Sequence, residues 1–369
     1  MLDKYLDEVK DFLKSQRKEA EVIVMPDFFI DRFVNINASL NHFFKMVMDI
    51  VERKGGSIDG ISQKEFRGGN AINTAVALAS LGVNVTPIVC TDKLGLRLIK
   101  FYVKSSRVNL THIKVVEKPS ITTALEFKTD YGRANVMLRD VGSLADFGPQ
   151  NLDVRDFEVI ERADCTCVFN WAGTRKYGTE LAETVFRHVK TRGKGKTYFD
   201  TADPTPNRGE AKKLLERVLQ SDLVDVLSLN ENEAAFFASL LRGKPEKPEK
   251  TMSFKELAKE SAKFLASHFK ARIDLHTTEY SATFSGKCET VVPSFRVHVL
   301  RATGAGDAWN AGNIIGTICR LPDAVRLTLA NAVAAYYISN PEAKHPTLKE
   351  LFKFCDKLRG RWKTKTDKN

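Results

Sequence analysis

The chain has 369 residues, 43% of them apolar and 28% charged, which supplies a large core and excludes a mainly disordered chain. Length alone allows two or three domains, although open α/β enzymes of this size are often one unit. A formal net charge of +11 suits a polyanionic partner, whether a nucleotide, a sugar phosphate or nucleic acid, without choosing among them.

The first twenty residues are amphipathic, with Leu2, Leu6, Val9 and Leu13 on one side. They lack an apolar h-region and a small-residue cleavage site, so they read as a helical extension and not as a signal peptide. Glu21 to Met25 is a β-branched run that predicts a buried first strand, and Phe29 to Ile36 predicts a second. Leu40 to Arg53 has helical spacing and forms an insertion at 37–54, followed by an extended stretch at 57–66. The uncharged run Ala71 to Thr91 raises the question of a membrane span, but it contains Gly82 and Pro87. A small-residue helix to Leu81, a stop at Gly82 and a strand from Val83 to Cys90 fit it better. The expectation is a soluble, cytoplasmic protein.

A helix is predicted over 97–106, then two strands at 121–127 and 134–138 around a turn at Asp130-Tyr131-Gly132. Beyond them, predicted strands at 165–170, 196–200 and 223–229 alternate with helices at 178–191, 209–220 and 231–241. Such alternation implies right-handed crossovers and a mainly parallel sheet. A charged loop at 242–252, a helix at 253–270, several strands from 271 to 299, and helices near 305–320, 323–339 and 347–358 complete the chain. The basic tail from Arg359 is expected to fray. The six cysteines form no C-x-x-C and sit mostly in apolar segments, which predicts free core thiols; the seven histidines lack zinc-ligand spacing.

Two stretches carry chemistry. Thr303-Gly-Ala-Gly-Asp307 follows the strand-like run Arg296 to Leu300 and opens a helical pattern. Its glycines let N–H groups of Gly304, Ala305 and Gly306 point into one space, and the helix N-terminus adds partial positive charge. Asp307 stands in the first turn. The same pattern serves equally as an N-cap after a tight turn. The other stretch, Gly68-Gly69-Asn70 with Asn73 three residues on, starts a small-residue helix. Both amides can face a polyhydroxy ligand, or act only as helix caps.

Together the two stretches resemble the signatures of the ribokinase-like, phosphofructokinase-B (PfkB) family of carbohydrate and nucleoside kinases. Asp27-Phe-Phe-Ile-Asp31, Asp92-Lys-Leu-Gly95, Asn230-Glu-Asn-Glu233 and Pro346-Thr-Leu-Lys-Glu350 resemble further family motifs in the expected order, so that the likeness spans about residues 21–358. The resemblance implies a three-layer α/β/α sandwich with a mostly parallel central sheet and a small β-rich lid near 29–66 and 121–138. It implies transfer of the terminal phosphoryl of ATP to a sugar hydroxyl, with Asp307 as general base and Gly304, Ala305 and Gly306 as anion hole. Asp31, Gly68, Gly69, Asn70 and Asn73 would bind the acceptor. Thr303, Asn230 and Glu233 would lie by the nucleotide and Mg²⁺, Glu233 through water.

A nucleoside or ribose-phosphate kinase, with ADP as an alternative donor, is the nearest rival. A nucleic-acid-binding protein on the same fold is a remote one, and pairing of two lids would give a homodimer. Two departures from the family pattern stand out. Arg301 replaces an acid that helps relatives bind a monovalent cation. His276-Thr-Thr-Glu-Tyr-Ser281 lacks both glycines of the usual T-x-G-x-x-G. Arg67, Arg139 and Arg175 are candidates for the substrate mouth, where they would suit an acceptor carrying a phosphate.

Overall fold

The computed structural model describes residues 2–15, 19–129, 132–243 and 253–363. In chain order the elements are α1 (Leu2–Lys14), β1 (Glu21–Met25), β2 (Phe29–Ile36), α2 (Leu40–Glu52), β3 (Ser62–Gly68), α3 (Asn70–Ser80), β4 (Asn84–Pro87), β5 (Cys90–Thr91), α4 (Lys93–Tyr102), β6 (Lys114–Val115), β7 (Ser120–Thr129) and β8 (Gly132–Asp140). Then come α5 (Val154–Arg162), β9 (Cys165–Phe169), α6 (Gly178–Arg192), β10 (Lys196–Asp200), α7 (Ala211–Leu214), β11 (Val226–Leu229), α8 (Glu231–Arg242) and α9 (Phe254–His268). The last are β12 (Arg272–His276), β13 (Tyr280–Ser285), β14 (Cys288–Pro293), α10 (Ala305–Ile318), α11 (Asp323–Ser339) and α12 (Leu348–Leu358).

The main sheet has the order β14-β13-β12-β11-β10-β9-β1-β4. Its strands from β12 to β4 run parallel, and β13 and β14 close one edge as antiparallel hairpin strands. Side chains alternate across a strand, so each buried strand feeds two cores. Val22 and Val24 of β1 enter a core shared with α1, α3, α10, α11 and α12. Ile23 and Met25 enter another, shared with α5, α6, α8 and α9. The result is the predicted three-layer α/β/α sandwich. A separate four-stranded sheet, β3-β2-β7-β8, forms the lid. The insertion between β2 and β3 is α2, which buries no residue fully but sets Phe43 edge-on against Phe127 of the lid.

Several local expectations change. The helix predicted over 97–106 is α4, which begins at Lys93 because Asp92 caps it, its Oδ1 accepting from the Gly95 N–H at 2.7 Å. The strand predicted over 83–90 leaves the main sheet at Pro87, on the edge strand, where a missing N–H is tolerated. The helix predicted over 209–220 is a 3₁₀ turn, α7 and a π turn in succession.

Arg296 to Leu300 is no strand: Phe295, Val297 and Val299 alternate because they line a cavity. Residues 359–363 are docked, not frayed. Trp362 packs on Phe295 with ring centroids 4.3 Å apart and donates from Nε1 to Asp3 of α1 at 2.7 Å. The turn at Asp130-Tyr131 and most of the 242–252 loop lie outside the described residues. Of the cysteines, Cys90, Cys165, Cys167 and Cys355 are buried free thiols, whereas Cys288 and Cys319 are exposed. No described helix is long and apolar enough to cross a membrane.

One buried charge cluster fastens the helix pair α10–α11 to the sheet. Asp274 of β12 is fully buried and accepts from Arg326 Nη1 and Arg272 Nη2, both at 2.9 Å, and from Asn313 Nδ2 at 2.8 Å. Burial alone would raise its pKa; the two guanidinium charges and the hydrogen bonds hold it down at about 2. Asp274→Asn leaves Arg272 without its counter-charge and Arg326 with Asp323 alone. It should lower unfolding stability by about 3–5 kcal/mol, read as a fall in the urea midpoint at unchanged slope.

Candidate active site

Polar side chains gather where the parallel strands end. Asp27 follows β1, Asn170 follows β9, Asp200 closes β10, Asn230 follows β11 and His276 closes β12. Ligands of open α/β sheets bind at this carboxyl edge. Two cavities open there. One, of about 240 Å³, lies under the lid and is lined by Asp31, Asn70, Asn73, Thr122, Arg139 and Asp307 among others. The other, of about 250 Å³, is more apolar and is lined by His276, Trp309, Val297, Val299 and Ile338 among others. Gly306 belongs to both walls.

The lid-side wall is organised by Asp27, which the sequence reading passed over in favour of Asp31. Its fully buried carboxylate accepts from the Asn70 N–H at 2.9 Å, the Ala71 N–H at 2.8 Å and Asn170 Nδ2 at 2.8 Å. It thereby occupies the N-terminus of α3, whose N-cap, Gly69, has no side chain to do so. Gly69 is required there: its φ is +96°, and a Cβ would stand 2.8 Å from the Phe28 Cα. Gly68 does not line the cavity. A Cβ on it would lie 2.1 Å from Asp31 Oδ2, so its role is to let that carboxylate come close.

Asn70 and Asn73, predicted to face a ligand, do line the cavity, but their Nδ2 groups donate to Asp307. Asn70 reaches Oδ1 at 2.9 Å and Asn73 reaches Oδ2 at 3.0 Å. Asp307 sits in the first turn of α10 and is nearly buried. Its pKa is raised to about 8, chiefly by burial, with the charges of Asp27 and Asp200 adding and the Asn73 and Asn70 bonds opposing. Asp31 is raised to about 6, again chiefly by burial, against a bond from Thr122 and the charge of Arg139. A carboxyl that titrates near neutral pH beside a helix N-terminus can take a proton from a hydroxyl while an anion is held close by.

The glycine loop differs in detail from expectation. Gly304 is in the left-handed region at φ +83°, and a Cβ there would meet the Tyr337 hydroxyl at 2.6 Å. The Ala305 N–H is already bonded to the Ala302 carbonyl at 3.1 Å. The first-turn N–H groups of Gly306 and Asp307 are left without an intrahelical partner, and Ala305 lines the second cavity. Thr303, predicted beside a nucleotide, lines the lid-side cavity instead.

Asn230 and Glu233 line neither cavity. They form the capping box of α8, with Asn230 N–H donating to Glu233 Oε2 at 2.9 Å and Asn230 Nδ2 to Oε1 at 2.7 Å. Their neighbour Glu231 does line the second cavity. Of the three candidate arginines, Arg139 lines the lid-side cavity and Arg67 and Arg175 line neither, although burial and the nearby Tyr337 and Asp307 bear on the Arg67 guanidinium.

Sequence reading missed Asp27, Asn170 and Asp200 as members of the site. The available signal was position: each is the polar residue at the end of a hydrophobic strand.

Comparisons with known proteins show the family and the fold. Residues 43–350 match the pfkB family carbohydrate kinases. The chain is 24% identical over 308 residues to the 5-dehydro-2-deoxygluconokinase of Geobacillus thermodenitrificans, covering 80% of this chain and 86% of that protein. Its fold is similar to a ribokinase of Arabidopsis thaliana solved with ribose and ATP, with a TM-score of 0.66 and 19% identity over 92% of this chain and 99% of that one. It is likewise similar to a fructokinase of Xylella fastidiosa solved with bound ATP, with a TM-score of 0.68 and 18% identity over 92% and 99%. With a match spanning both glycine stretches and most of the lid, the chain belongs to the pfkB family of carbohydrate kinases, phosphotransferases that take an alcohol group as acceptor.

Proposed function

We propose that the protein transfers the terminal phosphoryl of ATP to a hydroxyl of a sugar-class acceptor held under the lid. The observation that carries the reading is the shared wall: Gly306 borders both cavities, and Asp307, next in the chain, faces only the lid-side one. An acceptor hydroxyl there would give its proton to the Asp307 carboxylate as the oxygen attacks the γ-phosphorus. The N–H groups of the α10 first turn would receive the charge on the transferring phosphoryl. The similar proteins support this reading, since those named above are a dehydro-deoxygluconate kinase, a ribokinase and a fructokinase, two of them holding ATP. Adenine would sit in the second cavity, where the His276 and Trp309 rings lie 4.9 Å apart.

A Mg²⁺ ion suits the donor side only through its own waters. Both Glu233 oxygens already accept from Asn230, and the described residues hold no cluster with metal-ligand geometry. Yet the charges of Asp200, Asp203 and Glu231, added to burial, push the Glu233 pKa well up, so the region would welcome a hydrated cation. Such an ion would offset charge on the donor phosphates; Glu233 and Asp200 would orient its waters.

Asp307→Asn should leave the fold intact and lower kcat at least about a hundredfold, the scale of a lost general base; near-normal turnover in the folded variant refutes the role. The raised carboxyl fixes a sign as well. Below about 8 the free enzyme holds a proton on Asp307, so kcat/KM should climb with pH and level off above it. A profile flat from pH 6 to 9 would mean that another group takes the proton.

Arg301 supports a third expectation. Its Nη2 donates to the Pro341 carbonyl at 2.9 Å, joining the loop before α10 to the loop after α11. A guanidinium cannot ligate a cation and repels one nearby. Activity should therefore be indifferent to exchange of Na⁺, K⁺ and a large organic cation at fixed ionic strength. A several-fold, saturable activation by K⁺ contradicts it.

A further inference from the structure

Neither Arg139 nor Arg175 forms an ion pair with a carboxylate among the described residues. Arg139 of β8 lines the cavity, with its guanidinium over the Phe29 ring at 5.0 Å; among the described residues it makes no hydrogen bond or ion pair. Arg175 lies in the turn after β9, five residues beyond Asn170, and its buried Nη1 has no hydrogen-bond partner. The two act on each other: after burial, the positive charge of Arg139 is what lowers the Arg175 pKa. Other arginines, among them Arg32, Arg187, Arg217, Arg272, Arg326 and Arg359, are paired with carboxylates. Two like charges set together and left unpaired point to an anion that arrives with a ligand.

A compensating role for Arg139 alone does not account for this. Its charge does favour ionised Asp27 and Asp31, but it bonds to neither, Asp27 is already held by three N–H groups, and Arg175 stays unexplained. The same cavity offers acceptors for hydroxyl protons. Asn170 is buried with its Oδ1 unpartnered, and Asp31 and Asp307 line the wall. A space of about 240 Å³ takes a small molecule.

We propose that the phosphoryl acceptor is an anionic polyhydroxy compound whose carboxylate or phosphate is bound by Arg139 and Arg175. The proposal rests on the kinase reading above and narrows its substrate class. An arginine fork meets either group with two parallel hydrogen bonds.

The test pairs anionic acceptors with neutral counterparts in initial-rate assays with ATP. The pairs are D-gluconate with D-gluconamide, 5-dehydro-2-deoxygluconate with its carboxamide, and ribose 5-phosphate with ribose. The anionic member of at least one pair should win in kcat/KM by tenfold or more. Arg139→Gln and Arg175→Gln should each cut that preference about tenfold or more, chiefly through KM for the anion, with part restored by Arg139→Lys and Arg175→Lys. Preference within the sugar-acid pairs assigns the site to a carboxylate; preference within the third pair assigns it to a phosphate. Equal use of both members of every pair, or variants that depress both members alike, overturns the proposal. Thermal melting without nucleotide separates it from the kinase reading. If no acceptor is phosphorylated but an anion still raises the Tm through Arg139 and Arg175, the anion site stands and the kinase reading falls.

Discussion

Everything at the carboxyl edge of the sheet hangs on one carboxylate that water never reaches. Asp27 ends the first strand, occupies the N-terminus of α3 and holds Asn170 from the neighbouring strand. Burial favours its neutral form, and three N–H donors work against that, so the group is held by a balance of large opposing effects. With α3 so placed, Asn70 and Asn73 reach the Asp307 carboxylate across more than two hundred residues of sequence. The ends of β1 and β9, helix α3 and the first turn of α10 are thus registered to one another through two carboxylates and the amides that meet them.

Burial, with the charges of Asp27 and Asp200 added to it, is what tunes Asp307. The charge of Asp27 raises Asp31 and, together with that of Asp200, raises Asp307. A core built only for stability would have paired them, as it paired Asp274 with Arg272 and Arg326. The contrast between these two acidic clusters, one neutralised and one left short of cations, separates scaffold from site within a single sheet.

Much of this was legible beforehand. The glycines before Asn70 and before Asp307 announce themselves because close backbone approach admits nothing larger, and the structure places them against Asp27 and Tyr337 as such approaches require. The alternation of strands and helices gave the layered fold. Other features left no local trace. Asp27 and Asn170 are single polar residues after apolar runs, with no partner at a fixed spacing. Val297 and Val299 alternate as a strand would, yet both line a cavity. Asn230 and Glu233 satisfied a motif and a helix cap with the same four residues, and the hydrogen bonds are those of the cap.

The docked end of the chain alters how the second cavity is built. Its wall from Ser294 to Leu300 has no strand to hold it and leans on residues 361–363. Lys363 N–H donates to the Ser294 carbonyl at 2.8 Å, and Lys363 Nζ to the Thr278 carbonyl at 2.9 Å. Trp362 is in turn tethered to Asp3, and Arg359 to Asp7, both on α1. A clasp made from the two extremities of the polypeptide therefore shapes one of the two chambers, while the sheet shapes the other. Clasps of this kind open by local fraying long before a sheet melts. Warming, or a fusion partner that tugs at either extremity, would loosen one chamber and leave its neighbour formed.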